Sequence, residues 1–246
     1  MLHLLRKENT MKLFRLTVLS SLLFVSLNSN SQYVELHQYD HDLKPYYFGI
    51  TLGVNSPRFQ LELHPRFLEY DSVLVTESKI SSGFSLGLLA TKRIDERFEL
   101  RFNPQLMFME RNLEYKLKYP DPLDGTDVIK KVESIIVTLP VQVKFSSDRI
   151  GNFRVYMLGG VKADIDMASN ASSRKAEDLI KIKKNDMGVE IGMGFNFYFP
   201  SFILSPEIKI GNGLKDIHSR DENLKYSNIL DRILSRIVTF SIHLEG

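Results

Sequence analysis

Ser241 and His243 stand two residues apart in the run Thr239-Phe240-Ser241-Ile242-His243, so in an extended chain both point to the same side. A hydroxyl beside an imidazole is the start of a nucleophile. It still needs an acidic third group and a route for substrate. The run His218-Ser219-Arg220-Asp221-Glu222 offers the same residue types, but in a polar stretch where charges are expected to be solvated. Asp164 and Asp166 share a face, yet two carboxylates alone are too few for a divalent cation, and Lys162 beside Asp164 favours an ion pair. His37 and His41 lie four apart, a metal-binding interval only on a helix. Gly188, Gly192 and Gly194 fall inside a strand-like run with no helix behind it, so they are not a phosphate loop. Taken together, these candidates yield no catalytic, cofactor-binding or metal-ligating residue.

The elements around them say more. The 246 residues include 32 basic and 30 acidic ones, a near-balance that argues against a nucleic-acid partner. The absence of Cys excludes disulfides, thiolate metal sites, a Cys nucleophile and an acylated lipoprotein Cys. Met11, Lys12 and Arg15 precede an apolar run from Leu16 to Leu27, followed by Asn28-Ser29-Asn30-Ser31-Gln32. That order is a secretory signal over 1–31, with Met11 as initiator, a cut before Gln32 and a periplasmic segment over 32–43. The leader carries Arg6, Lys7, Lys12 and Arg15 against Glu8, so its removal takes the net charge from +2 to −1.

From Lys44 to Gly246 the pattern has period 2, eight times over. Tyr46, Phe48, Ile50, Leu52 and Val54 alternate with polar and glycine positions. The same holds from Phe84 to Ala90, Phe98 to Phe108, Ile135 to Phe145, Phe153 to Ile165, Met187 to Phe199, Phe202 to Ile210 and Val238 to Leu244. Long polar connections at 56–81, 118–131, 168–185 and 215–232 alternate with short ones near Asp95, Ser147 and Pro200. The expected fold is therefore all-β: an eight-stranded antiparallel up-and-down transmembrane β-barrel over 44–246, with long extracellular loops and short periplasmic turns. Phe59, Leu61 and Leu63 keep the alternation and extend the first hairpin beyond the membrane. Tyr226, Leu230, Leu234 and Ile237 fit a short amphipathic turn.

A soluble lipocalin-like barrel alternates in the same way with its apolar face inward. The polar face separates the two. It holds Glu99, Asp164, Glu190 and Glu207 with Arg101, Lys144, Arg154, Lys162 and Lys209, and many glycines. Glycine weakens a water-facing strand, whereas a narrow lumen needs small residues and can pair opposite charges. The membrane barrel is the outcome, with an ion-paired interior, in the outer membrane of a Gram-negative bacterium. In such a chain the acceptor pattern Asn170-Ala171-Ser172 carries no weight.

The run from Lys44 to Asn55 (KPYYFGITLGVN) resembles the first strand of the PorT family, outer-membrane components of the type IX secretion system. The runs Val137–Phe145 (VTLPVQVKF) and Phe202–Lys209 (FILSPEIK), with Leu214-Lys215-Asp216-Ile217, are similar to later parts of that barrel. The resemblance covers Lys44 to Gly246. It implies a non-catalytic barrel required for protein export, and in some members for gliding, with other secretion components and membrane lipid as partners and no cofactor or small-molecule substrate. The end, Leu244-Glu245-Gly246, departs from the terminal aromatic usual in outer-membrane barrels. A general structural or adhesive barrel is the first alternative. The second is a lipid-modifying enzyme, since the Ser241/His243 spacing resembles that of outer-membrane lipid A deacylases.

Overall fold

The computed structural model describes residues 35–64, 73–121, 125–169, 182–219 and 230–246. The chain divides into Met1–Glu35 and Leu36–Gly246, and the secretory signal with its cut before Gln32 lies outside the described residues. The described residues of the second unit begin with a 3₁₀ turn, Tyr39–Leu43, and continue as ten strands. These are β1 (Tyr46–Leu63), β2 (Val73–Lys79), β3 (Gly83–Arg93), β4 (Phe98–Phe102), β5 (Gln105–Asp121), β6 (Gly125–Ser146), β7 (Phe153–Asp166), β8 (Asn185–Tyr198), β9 (Ile203–Gly213) and β10 (Leu230–Glu245).

Ten strands make eight staves. The register of β3 against β4, Ala90↔Phe102, runs without a shift into that of β3 against β5, Gly87↔Gln105. Between them lie Asn103 and Pro104, and Pro140 faces the gap from β6. A proline has no N–H for the ladder, so pairing lapses there while the chain keeps its direction. Likewise β2 and β3 succeed one another along β5, from Lys79↔Asn112 to Gly83↔Met109. The expected count of eight strands is corrected to ten segments in eight staves. Among the described residues all pairings are antiparallel, and β1 pairs with both β10 and β3, which closes the sheet.

The faces obey the alternation. Phe48 on β1 is 66% exposed and Ile191 on β8 is 61% exposed, although both are apolar, while Arg101 and Lys144 are fully buried. Polar inside and apolar outside is the reverse of a soluble barrel. On β6 the outward apolar set runs from Ile135 to Phe145, close to the ~9–11 residues that cross hydrocarbon at a tilt. Outward Arg58 and Arg236 are paired across β1 and β10 and end the band on the long-loop side.

Beyond the band the barrel changes character. Pairing of β1 with β3 stops at Asn55↔Gly83, and pairing of β6 with β7 stops at Ile136↔Asp166. Two ribbons continue: β1 with β10, and β2 with β5 and β6. Among the described residues no ladder joins β1 to β2, and the Phe59 N–H donates instead to Ser78 Oγ at 2.9 Å. The ribbons face each other over an apolar cluster of Phe59, Leu113, Tyr115, Leu230 and Ile233. Ile182 and Ile217 join it from the connecting segments. Two expectations are corrected here. Segment 118–131 is mostly strand rather than a long loop, and residues 230–237 belong to β10 rather than to an amphipathic turn. A register shift at Glu62/Leu63 turns Leu230 inward together with Ile233, three residues further on. Tyr226 lies outside the described residues.

Candidate functional site

The strongest concentration of polar side chains is the lumen. Alternation in β4 turns Glu99 and Arg101 inward, and the same phase in β9 and β10 turns in Glu207, Ser241, His243 and Glu245. Arg101 donates to Glu207 Oε2 and to Glu245 Oε1, each at 3.0 Å. In the closed order of staves β9 lies diametrically across from β4, so the first of these bonds spans the lumen. Tyr156 on β7 donates to the same Glu207 oxygen at 2.9 Å. A Cβ on Gly194 would overlap the Tyr156 hydroxyl, so that position in β8 has room only for glycine.

A second group lies toward the short-turn rim. Glu99 accepts from Tyr47 at 2.9 Å and pairs with Lys144 at 3.3 Å and Arg93 at 3.2 Å. Toward the opposite rim Gln142 bonds Glu190, and Lys209 stands 3.8 Å from Glu190. Arg111 pairs with Asp166 at 3.3 Å and reaches Ser134 and Ser235. Buried charges survive only when paired and hydrogen-bonded, and here Glu207, Glu99 and Glu190 are each shared among partners from more than one stave. A cavity of about 20 Å³ bordered by Arg111, Asp164, Asp166 and Asp186 is the size of a water molecule.

Each sequence candidate has a place in this lattice. Ser241 Oγ is 3.4 Å from His243 Nε2, and the acid partner is Glu207, whose Oε2 is 3.3 Å from that same Nε2. A relay needs hydroxyl and carboxylate on opposite ring nitrogens. His243 Nδ1 instead faces Thr51 Oγ1 at 2.8 Å, and Thr51 donates to Asn103 Oδ1 at 3.0 Å. All of Thr51, Ser241, His243 and Glu207 are buried. Lys162 pairs with Asp164, and its stem passes beside Gly211, where a Cβ would stand 3.1 Å from the lysine Cε. Asp166 turns to Arg111 instead. His37 uses its backbone and His41 is buried in the 3₁₀ turn, so the two do not share a helix face. Among the described residues no three His, Cys, Asp or Glu side chains gather as a metal site would require. His218 pairs with Ile182 through a β-bridge; Arg220, Asp221 and Glu222, and the pattern at 170–172, lie outside the described residues. Gly188, Gly192 and Gly194 are within β8, as their spacing implied.

Sequence reasoning missed Glu245 as a lumen residue, although continuing the β10 alternation by one step past His243 would have found it. It also missed Arg111, and Arg154 proves to stand at the mouth, 3.2 Å from Asp42.

A closed antiparallel barrel with a lipid-facing apolar exterior and an ion-paired interior defines an integral outer-membrane β-barrel protein. The chain belongs to the outer membrane protein beta-barrel domain family, which it matches over residues 28–219. It therefore sits in the lipid of a Gram-negative outer membrane, with the short-turn rim on the periplasmic side. No curated protein matches the sequence. Among solved structures it is similar to OprG from Pseudomonas aeruginosa, at 12% identity and TM-score 0.47, covering 82% of this chain and 95% of that one. Neisserial surface protein A matches at 12% identity and TM-score 0.39, over 80% and 96% of the two chains. Ail of Yersinia pestis, solved with the heparin analogue sucrose octasulfate, matches at 11% identity and TM-score 0.38, over 82% and 100%. Likenesses at this level say nothing of function.

Proposed function

We propose that this barrel is non-catalytic and serves protein export by a type IX secretion apparatus through contacts with partner proteins. The observation that supports the non-catalytic part is the Arg101–Glu207 bond, which runs across the lumen at that level. The export part rests on the resemblance of the Lys44–Asn55, Val137–Phe145 and Phe202–Lys209 runs to the PorT family. The surface left for work is the extracellular pair of ribbons and the connections beside it. A general structural or adhesive role uses the same surface, and the experiment separates the two.

Deletion of the protein should stop release of signal-bearing cargo into the medium and trap it in the periplasm. Replacing residues 220–229 by a tight turn should do the same while the barrel still inserts. Ser241→Ala with His243→Gln, which keeps a donor toward Glu207, should export normally. Normal release after deletion would support the structural or adhesive role. Failure of the inserted Ser241/His243 variant would bring catalysis forward.

A further inference from the structure

The chain's own N-terminal segment lies against the periplasmic mouth. Gln38, in the left-handed region at φ 49° and ψ 48°, turns the backbone into the Tyr39–Leu43 turn. His41 then points inward at 3% exposure, while Tyr39 and Leu43 stay outside. Asp42 meets arginines from three directions: Arg149 and Arg154 at 3.2 Å, and Arg93 at 3.9 Å. Arg93 also donates to the Asp42 carbonyl, and Arg149 to the carbonyl of His37. Arg149 lies flat over Tyr198, 3.7 Å from the ring centre, and donates to Asn152 Oδ1 at 3.0 Å. That oxygen also accepts the His37 N–H at 2.9 Å.

His41 is held differently. Its ring stands 4.5 Å from Tyr47 on β1 and 6.3 Å from Tyr198 on β8, and among the described residues neither ring nitrogen has a hydrogen-bond partner. A neutral imidazole tolerates such a site. A charged one would be a buried cation with no acceptor, in a mouth already lined by three arginines. We propose that residues 36–43 form an acid-released plug, docked while His41 is neutral and expelled from the mouth when that ring takes a proton. Asp42 supplies the attachment and His41 the trigger. Release uncovers Arg93, Arg149, Arg154, Tyr47 and Tyr198 to the periplasm.

Burial pushes the docked imidazole down to about 4 from the ordinary 6.5. Glu245 of β10 and Asp42 pull it up, and Arg93 of β3 and Lys44 push it further down. A folded-state value below the free one means that the free segment binds the proton first. The stabilisation is complete above pH 6.5 and is lost as pH falls toward 4. Each pH unit inside that window weakens docking about tenfold.

The test is hydrogen exchange of the full chain in lipid nanodiscs, read at the amides of His37, His41 and Lys44 and corrected for the intrinsic effect of pH. Their protection should drop about 70-fold from pH 7.5 to pH 4.5, while β10 amides hold. His41→Phe, which fills the same aromatic slot, should stay within about threefold across that range. Asp42→Asn should expose the segment at both pH values. Flat protection in the wild-type chain overturns the proposal. So does an equal fall in β10, an equal fall in His41→Phe, or an Asp42→Asn segment as protected as wild type.

Discussion

The membrane-spanning part of the barrel and the extracellular ribbons above it are made by the same strands with opposite interiors. On β10 the inward residues are Glu245, His243 and Ser241 within the membrane, and Ile237 and Ile233 above it. On β1 they pass from Thr51 and Asn55 to Phe59. On β5 they pass from Gln105 to Leu113 and Tyr115, with Arg111 as the last charged step. The reason is the solvent. Where lipid covers the outside, the apolar residues go outward and the inside is left with polar groups that must satisfy one another. Where water covers the outside, the hydrophobic effect acts in its usual direction and the two ribbons collapse on an apolar core. Neither strand direction nor pleat changes at the boundary. Only the phase of the alternation does.

The contrast breaks hardest at Arg101. Arg101→Met should strand Glu207 and Glu245 in a dry interior and destabilise the barrel by about 3–5 kcal/mol, read as the urea midpoint of the heat-modifiable band on unboiled gels. Adding Glu207→Gln and Glu245→Gln to that variant should recover most of the loss. Without such recovery, the ion pairs are not what braces this half. Ile191→Arg, a cation near mid-bilayer on the outer face, should cost about 2–4 kcal/mol in the same assay. Leu113→Ala removes apolar volume from the core between the ribbons. It should cost about 2–3 kcal/mol and speed proteolysis of the ribbons, leaving the heat-modifiable band in place. The smallest effect is expected at Val75, which is outward on β2 but faces water. Val75→Arg should change stability by no more than about 0.5 kcal/mol. A penalty there as large as at Ile191 would mean that lipid, not water, covers the ribbons.

The phase change also explains what was legible in the sequence. Within the membrane band one face is continuous, so staves, faces and short turns could all be read from period 2. The polar face had the charges and glycines that a narrow lumen needs, and the Lys162–Asp164 pair could be named in advance. Reading at fixed phase stops where the apolar residues change sides. On β5 they move from Leu106 and Phe108 to Met109, Leu113 and Tyr115, and the rest of the strand passes for a polar loop. On β10 the phase change and the register shift together mimic a helix. Partners across the lumen were out of reach for another reason. Alternation says that Arg101 and Glu207 point inward, but only the closed order of staves makes them opposite. The acid beside the Ser241–His243 pair came into view with that closure, and so did its place at the same ring nitrogen as the hydroxyl.

Arg101 and Glu245 are 144 residues apart in the chain. During assembly the guanidinium is committed early, on the fourth strand, and its second carboxylate comes with the strand that meets β1. Until then an open sheet holds a cation that lacks one of its two carboxylates on the side that must become the interior. The sheet therefore gains less by entering lipid half-made, because the full set of charge partners and mechanical closure are reached in the same step. A brace of the finished barrel is, in time, a checkpoint on its completion.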